Sequence, residues 1–258
     1  MSKYNYDFRR SVLAEPAQLI AANDQYHSTS DQKYMLGTKY SLDDGRVYRY
    51  VENGATELTA GLMVQQAVVN SDWDDVVQTT GTAAAVGDTE ITVAVGALPT
   101  ANDWDNGWLV ILDGTGVKQS YNIKSHNVPA SGILVKVKIA DEGGIRIATA
   151  TTSEITIIKN LYKDVIVHPV TTATGMALGV PNGTIAANEF GWIQTHGPCG
   201  MIVDTSDTLT VGTPVGVPAT SAVAGACAVR QTTRAEWGVT TTAIGEGDGT
   251  ALIYLTLE

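Results

Sequence analysis

From about Tyr40 onward the chain is a succession of short runs in which apolar and polar residues alternate, each soon cut off by glycine, asparagine or aspartate. A period of two belongs to strands with one buried face, and breaks this frequent leave little room for helices. Asp43-Asp-Gly45 turns into Arg46-Val-Tyr-Arg-Tyr-Val51, and Glu52-Asn-Gly54 turns again. Residues 62–69 read as a further strand by their valine content. Thr89-Glu-Ile-Thr-Val-Ala-Val95 alternates clearly, runs at 108–112, 119–124, 133–139 and 154–159 follow, and Ala251-Leu-Ile-Tyr-Leu-Thr-Leu257 comes last. The expected fold is all-β, antiparallel sandwich or barrel domains, preceded by an extended N-terminal arm.

Residues 1–40 lack this grammar. They hold Tyr4, Tyr6, Phe8, Tyr26, Tyr34 and Tyr40, with five cations against four acids, so the segment is +1 and the remainder of a chain of net charge −11 carries −12. Residues 11–22 suit one short helix whose start Pro16 restricts. The rest reads as an arm, or else as a loose terminus. Tyrosine and arginine concentrate at binding hot spots, which makes Tyr4, Tyr6, Phe8, Arg9 and Arg10 the contact candidates. Beyond the arm, 41–78 and 164–258 are assigned to one β-domain and 79–163 to a second, inserted one. An internal echo motivates this: Leu58-Thr-Ala-Gly-Leu-Met-Val64 and Leu209-Thr-Val-Gly-Thr-Pro-Val215 share L-T-x-G-x-x-V. In each, a glycine is free to take a positive φ just before a strand.

Charged residues make up only 17 % of the chain, against about a quarter in ordinary domains. Between Ile166 and Val229 the only ones are Glu189, Asp204 and Asp207. So long an uncharged stretch is costly on a free surface and suits one covered by a neighbour. The acidic balance argues against a grip on nucleic-acid phosphates and against an anionic membrane. No run of about 18 apolar residues suggests a membrane span. No apolar run follows the early charges, so no secretion signal is expected. Cys199 and Cys227 read as small buried thiols rather than a bridge.

Reactive groups do not cluster along the sequence. His27, His126, His168 and His196 form no H-E-x-x-H or other close pair, and no G-x-S-x-G elbow occurs. Gly245-Glu-Gly-Asp-Gly249 carries carboxylates that would repel phosphate and lacks the lysine of a P-loop. Asp72-Trp-Asp-Asp75 and Asp103-Trp-Asp-Asn106 repeat an acid–Trp–acid unit that does not fit an EF-hand. They read as solvated turns, with calcium and sugar binding left open. Trp108 and Trp192 are assigned to the core, Trp73 and Trp104 to exposed turns. Paired carboxylates of a glycoside hydrolase stay open too, since such partners lie far apart in a chain. The expectation is a non-enzyme with no catalytic residue, cofactor or metal.

The run Phe190-Gly-Trp-Ile-Gln-Thr-His-Gly-Pro-Cys199 resembles a Y-G-W-I-Q-x-x-G strand of tailed-bacteriophage head decoration (cement) proteins. Asp113-Gly-Thr-Gly-Val-Lys-Gln-Ser-Tyr-Asn-Ile123 is similar to a D-G-x-G-x-x-x-x-Y-x-I element of related virion proteins. The resemblance covers roughly 40–258. It implies a homotrimer on the outer capsid surface that clamps major capsid protein subunits, made in the bacterial cytoplasm, with no direct contact to nucleic acid or membrane. The alternative is a tail, baseplate or glycan-binding receptor fibre component.

Overall fold

The computed structural model describes residues 24–74, 76–77, 83–170, 172–204, 208–218, 223–231, 234–243 and 249–258, and the structural statements below concern these. The fold is all-β, with antiparallel strand pairing throughout both sheets. Unit 1 comprises residues 1–65, 166–173 and 177–258, and unit 2 comprises 66–165 and 174–176. The first strands of unit 1 are β1 (Lys39–Ser41), β2 (Val47–Glu52) and β3 (Val64–Gln65). Unit 2 supplies β4 (Val76–Val77), β5 (Glu90–Ala94), β6 (Trp108–Asp113), β7 (Ser120–His126), β8 (Leu134–Ile139) and β9 (Glu154–Ile158). Unit 1 resumes with β10 (Ile166–Val167), β11 (Ala177–Pro181), β12 (Phe190–Ile202), β13 (Pro214–Gly216), β14 (Ala228–Val229), β15 (Glu236–Thr240) and β16 (Thr250–Thr256). Against the boundary read at 78, the division falls after Gln65, because β4 pairs with β9 through Val76↔Ile155 and Val77↔Glu154. The run at 62–69 forms only the two-residue β3.

Unit 2 has the strand order β4-β9-β6-β7-β8-β5. The alternation seen in the sequence is the alternation of burial: Ile91, Val93, Leu109, Ile111, Ile123, Val135 and Val137 turn inward to one core. Lys136 and Lys138 turn outward, and Lys136 pairs with Glu90 at 3.1 Å. This is the hydrophobic-in, polar-out pattern of an antiparallel sheet with one wet face.

Unit 1 curls into a half-barrel ordered β10-β3-β11-β12-β16-β15-β13-β14, with β1 and β2 branching from β12. β12 is thirteen residues long. β2 pairs with it from Phe190 to His196, β16 from His196 to Ile202, and β11 at Ile193 and Gln194. A bulge between Gln194 and His196 shifts its side-chain parity. Before the bulge Trp192 packs with Tyr40, Tyr48 and Tyr50; after it Cys199 and Met201 join Trp237, Ile253 and Leu255. A second bulge, in β15 opposite Val215 and Gly216, adds Trp237 as the extra residue and turns it into the core.

Residues 24–40, read above as the end of the arm, lie against unit 1. Thr29 bridges Phe190, the Ser28 hydroxyl donates to Glu189, and the Tyr34 ring meets Tyr50 edge-on at 5.2 Å. The body therefore begins no later than Asp24. The helix read at 11–22 lies outside the described residues.

The two copies of L-T-x-G-x-x-V adopt the same turn. Leu58 and Leu209 are fully buried, and Gly61 and Gly212 both have φ of +83°. Leu62 N–H donates to Thr59 O and Thr213 N–H to Thr210 O, closing each turn before a strand starts. Glycine is required because the left-handed region costs other residues about 1–2 kcal/mol. A Cβ at position 212 would meet nothing within 4 Å, so Gly212→Ala isolates the backbone term and should destabilise unit 1 by about 1–2 kcal/mol. Gly200→Ala, on extended backbone in equally open space, should change stability by less than about 0.5 kcal/mol. Urea midpoints check this, and equal losses would rule out the turn as the cause.

Candidate functional site

The second half of β12 floors an open groove of about 360 Å³ in unit 1. One side is the turn leading into β2, with Arg46, and Tyr26 beside it; the other is the Ala60–Gly61 turn. Ile202 directs its N–H to Gly61 O and its C=O to Cys227 N–H. By strand periodicity Gly200 faces the same way, and its carbonyl lies 3.5 Å from where a Cβ on Gly61 would stand. The groove thus has a backbone floor with little side chain above it.

A polar network continues from its rim into the unit. The Arg46 guanidinium holds Asp44 at 2.8 Å, donates to Tyr48 OH at 3.0 Å and reaches Tyr26 OH at 3.5 Å. The Asp44 bond raises the Arg46 pKa, and the Arg46 bond lowers that of Tyr26. Asn182 Nδ2 donates to Tyr48 OH and to Gln194 Oε1, and Gln194 Nε2 donates to His196 O and Pro198 O. Gln194 is fully buried, and its amide satisfies two β12 carbonyls that lie beyond the short pairing with β11. Burial pushes the Tyr48 phenol up to about 12 and the Cys199 thiol to about 12, Arg46 opposing both. Both cysteines are buried and unbridged.

In unit 2 the acid–Trp–acid turns are inverted relative to the expectation. Trp73 is 6 % and Trp104 0 % exposed, whereas Trp108 is 44 % exposed. The two buried indoles meet edge-on at 5.4 Å, and Trp73 Nε1 donates to Ala97 O. Trp108 stands on β6 out of phase with the inward Leu109 and Ile111, which strand periodicity turns away from the core. The acids serve separate partners. Lys159 Nζ bridges Asp103 at 2.9 Å and Asp164 at 2.8 Å, 5.4 Å from the Trp73 ring centre. Asp74 accepts from Thr156, and Asp105 lies 3.5 Å from His126. Burial would raise the Asp103 carboxyl, but bonds from Lys159 and Thr100 outweigh it and hold the pKa below the usual range. Lys159 is likewise disfavoured by burial, yet its two carboxylates raise its pKa. A cleft of about 220 Å³ lies beside this pair. Among the described residues no group of three or more His, Cys, Asp or Glu is placed to hold a metal ion.

The histidines stand apart from one another in separate roles. His168 is buried against Trp237 at 5.0 Å, and burial lowers its pKa, the Pro169 carbonyl opposing. His196 takes a contact from Tyr254 OH at 3.2 Å, and His126 Nε2 is 3.0 Å from Thr100 O. Tyr4, Tyr6, Phe8, Arg9 and Arg10 lie outside the described residues, as does most of the loop at 245–249. The Arg46–Tyr48–Asn182–Gln194 network was missed in the sequence, since its bonded partners Tyr48 and Asn182 lie 134 residues apart. The turn Asp44-Gly-Arg46 was its one local trace. No helix among the described residues is long and apolar enough to cross a membrane. No protein-family model, curated protein or solved structure matches the chain.

Gln194→Leu keeps the volume but removes the donor to two carbonyls and one of the two acceptors of Asn182 Nδ2. It should cost about 2–4 kcal/mol by urea unfolding, and a loss below about 1 kcal/mol would place those groups in water. Acid should act in two windows. His168 has a lowered folded pKa, so stability falls as pH drops below the unfolded value of about 6.5 toward the folded one. Asp103 contributes above about 3.9, and its share is lost as pH falls through its lower folded pKa. Urea midpoints against pH should show both declines, and His168→Gln should flatten the upper one only.

Proposed function

We propose that the chain is a structural component of a tailed-bacteriophage head, a decoration protein that binds major capsid protein subunits from outside. Copies of it associate, a homotrimer being the arrangement the resemblance implies. Its work is adhesion rather than catalysis, and its place is the virion surface. The observation that carries this reading is that the resembling run 190–199 forms most of β12, the strand with which β2, β11 and β16 all pair. The likeness therefore falls on the segment that organises unit 1 and not on a peripheral loop. The scarcity of charge from 166 to 229 supports the same reading, because affinity spread over an uncharged area suits a lattice component. The tail or glycan-binding alternative loses the observation that motivated it, since Trp73 and Trp104 are buried.

Co-sedimentation of the full chain with expanded phage heads tests the proposal: saturable binding is expected, and none at micromolar protein would overturn it. Deleting residues 1–20, which removes Tyr4, Tyr6, Phe8, Arg9 and Arg10, should leave the melting temperature within a few degrees and weaken head binding at least tenfold. Unchanged binding would remove those five residues from the contact.

A further inference from the structure

The outer face of the sheet made by β13, β15, β16 and β12 is uncharged across its centre. Pro214, Val239, Tyr254 and Pro198 stand in one line over four strands, each the register partner of the next. One step along, Leu252 lies opposite Gly200. Leu252 and Tyr254 are each 41 % exposed, while Ala251, Ile253 and Leu255 of the same strand point into the core. Charge is found at the margins: Arg46, on the groove that Pro198 and Gly200 also line, pairs with Asp44, Arg230 pairs with Glu236, and Glu258 is held by Lys39 and Arg49. An apolar centre within a polar rim is the anatomy of a protein interface.

We propose that this face is where one copy of the chain meets a second. The proposal rests on the assembling role argued above and names the surface that role would use. Charge selects the occupant. The chain carries −11, so two copies repel wherever acidic surfaces approach, and this face lets them touch without opposing like charges. A nucleic acid would find no cation at the centre of the face, and a basic partner no carboxylate. Size sets the strength. Seven residues of β16 extend about 23 Å and four strands span about 19 Å, so each copy contributes on the order of 400 Å². That is about half a standard interface. Contact in solution is therefore weak and concentration-dependent, and it strengthens when copies are held side by side on a lattice.

Sedimentation velocity on the full chain from about 5 to 500 μM tests this. The average mass should climb from one copy toward two. The double substitution Leu252→Glu, Tyr254→Glu should hold it at one copy, and so should Leu252→Lys alone, which guards against a folding defect in the double variant. Val128→Glu, on an exposed loop of unit 2, should climb as the native chain does. A native chain that stays at one copy throughout, or face variants that associate as it does, would overturn the proposal. Head binding by a chain that never self-associates would sink this inference and leave the decoration reading standing. Self-association without head binding would do the reverse.

Discussion

Unit 1 depends on a strand that is too long to be served by one set of neighbours. β12 runs for thirteen residues, about twice the common length, and a straight, untwisted ladder of that length would offer one core only. The bulge between Gln194 and His196 resolves this by shifting which residues point inward. The aromatic set around Trp192 and the aliphatic set around Met201 are thus built from one continuous segment, on opposite sides of a single irregularity. Each set then recruits its own partner, β2 in the first half and β16 in the second.

Beyond the short pairing with β11, β12 has carbonyls to satisfy, and Gln194 meets two of them. Its amide reaches His196 O and Pro198 O and is itself held by Asn182. Apolar contacts specify that a face is buried but tolerate a slip in register, whereas a buried amide with three fixed partners does not. The same network leads outward through Tyr48 to Arg46. Strand register inside the unit and the shape of the groove rim are accordingly set by one chain of hydrogen bonds.

Period-two alternation carried most of the strands into view, because burial in a one-sided sheet follows chain parity directly. The turn at L-T-x-G-x-x-V was legible for a similar reason, a local backbone demand that only glycine meets cheaply. The tryptophans were misassigned because neighbouring residues do not decide the direction of a ring. Acids flank Trp73 and Trp104, yet Asp74, Asp103 and Asp105 turn to Thr156, Lys159 and His126 while the rings go inward. Trp108 sits in an apolar run, but parity places it outside. The groove was invisible since Arg46, Asn182 and Pro198 converge only through long-range pairing.

The scarce charges are spent in different ways in the two units. In unit 2, Lys159 ties Asp103 and Asp164 together over an indole, so that three ionised groups contribute to internal cohesion. In unit 1, Glu258, Arg49, Lys39, Arg230 and Glu236 pair along the edges of the sheet. Paired charges at a rim add little binding energy, but they oppose misaligned approach and so favour one docking position over its neighbours. An uncharged centre of modest area would then supply only weak, concentration-dependent attraction between copies. On the proposed reading, a capsid lattice would supply the proximity and this face only the alignment.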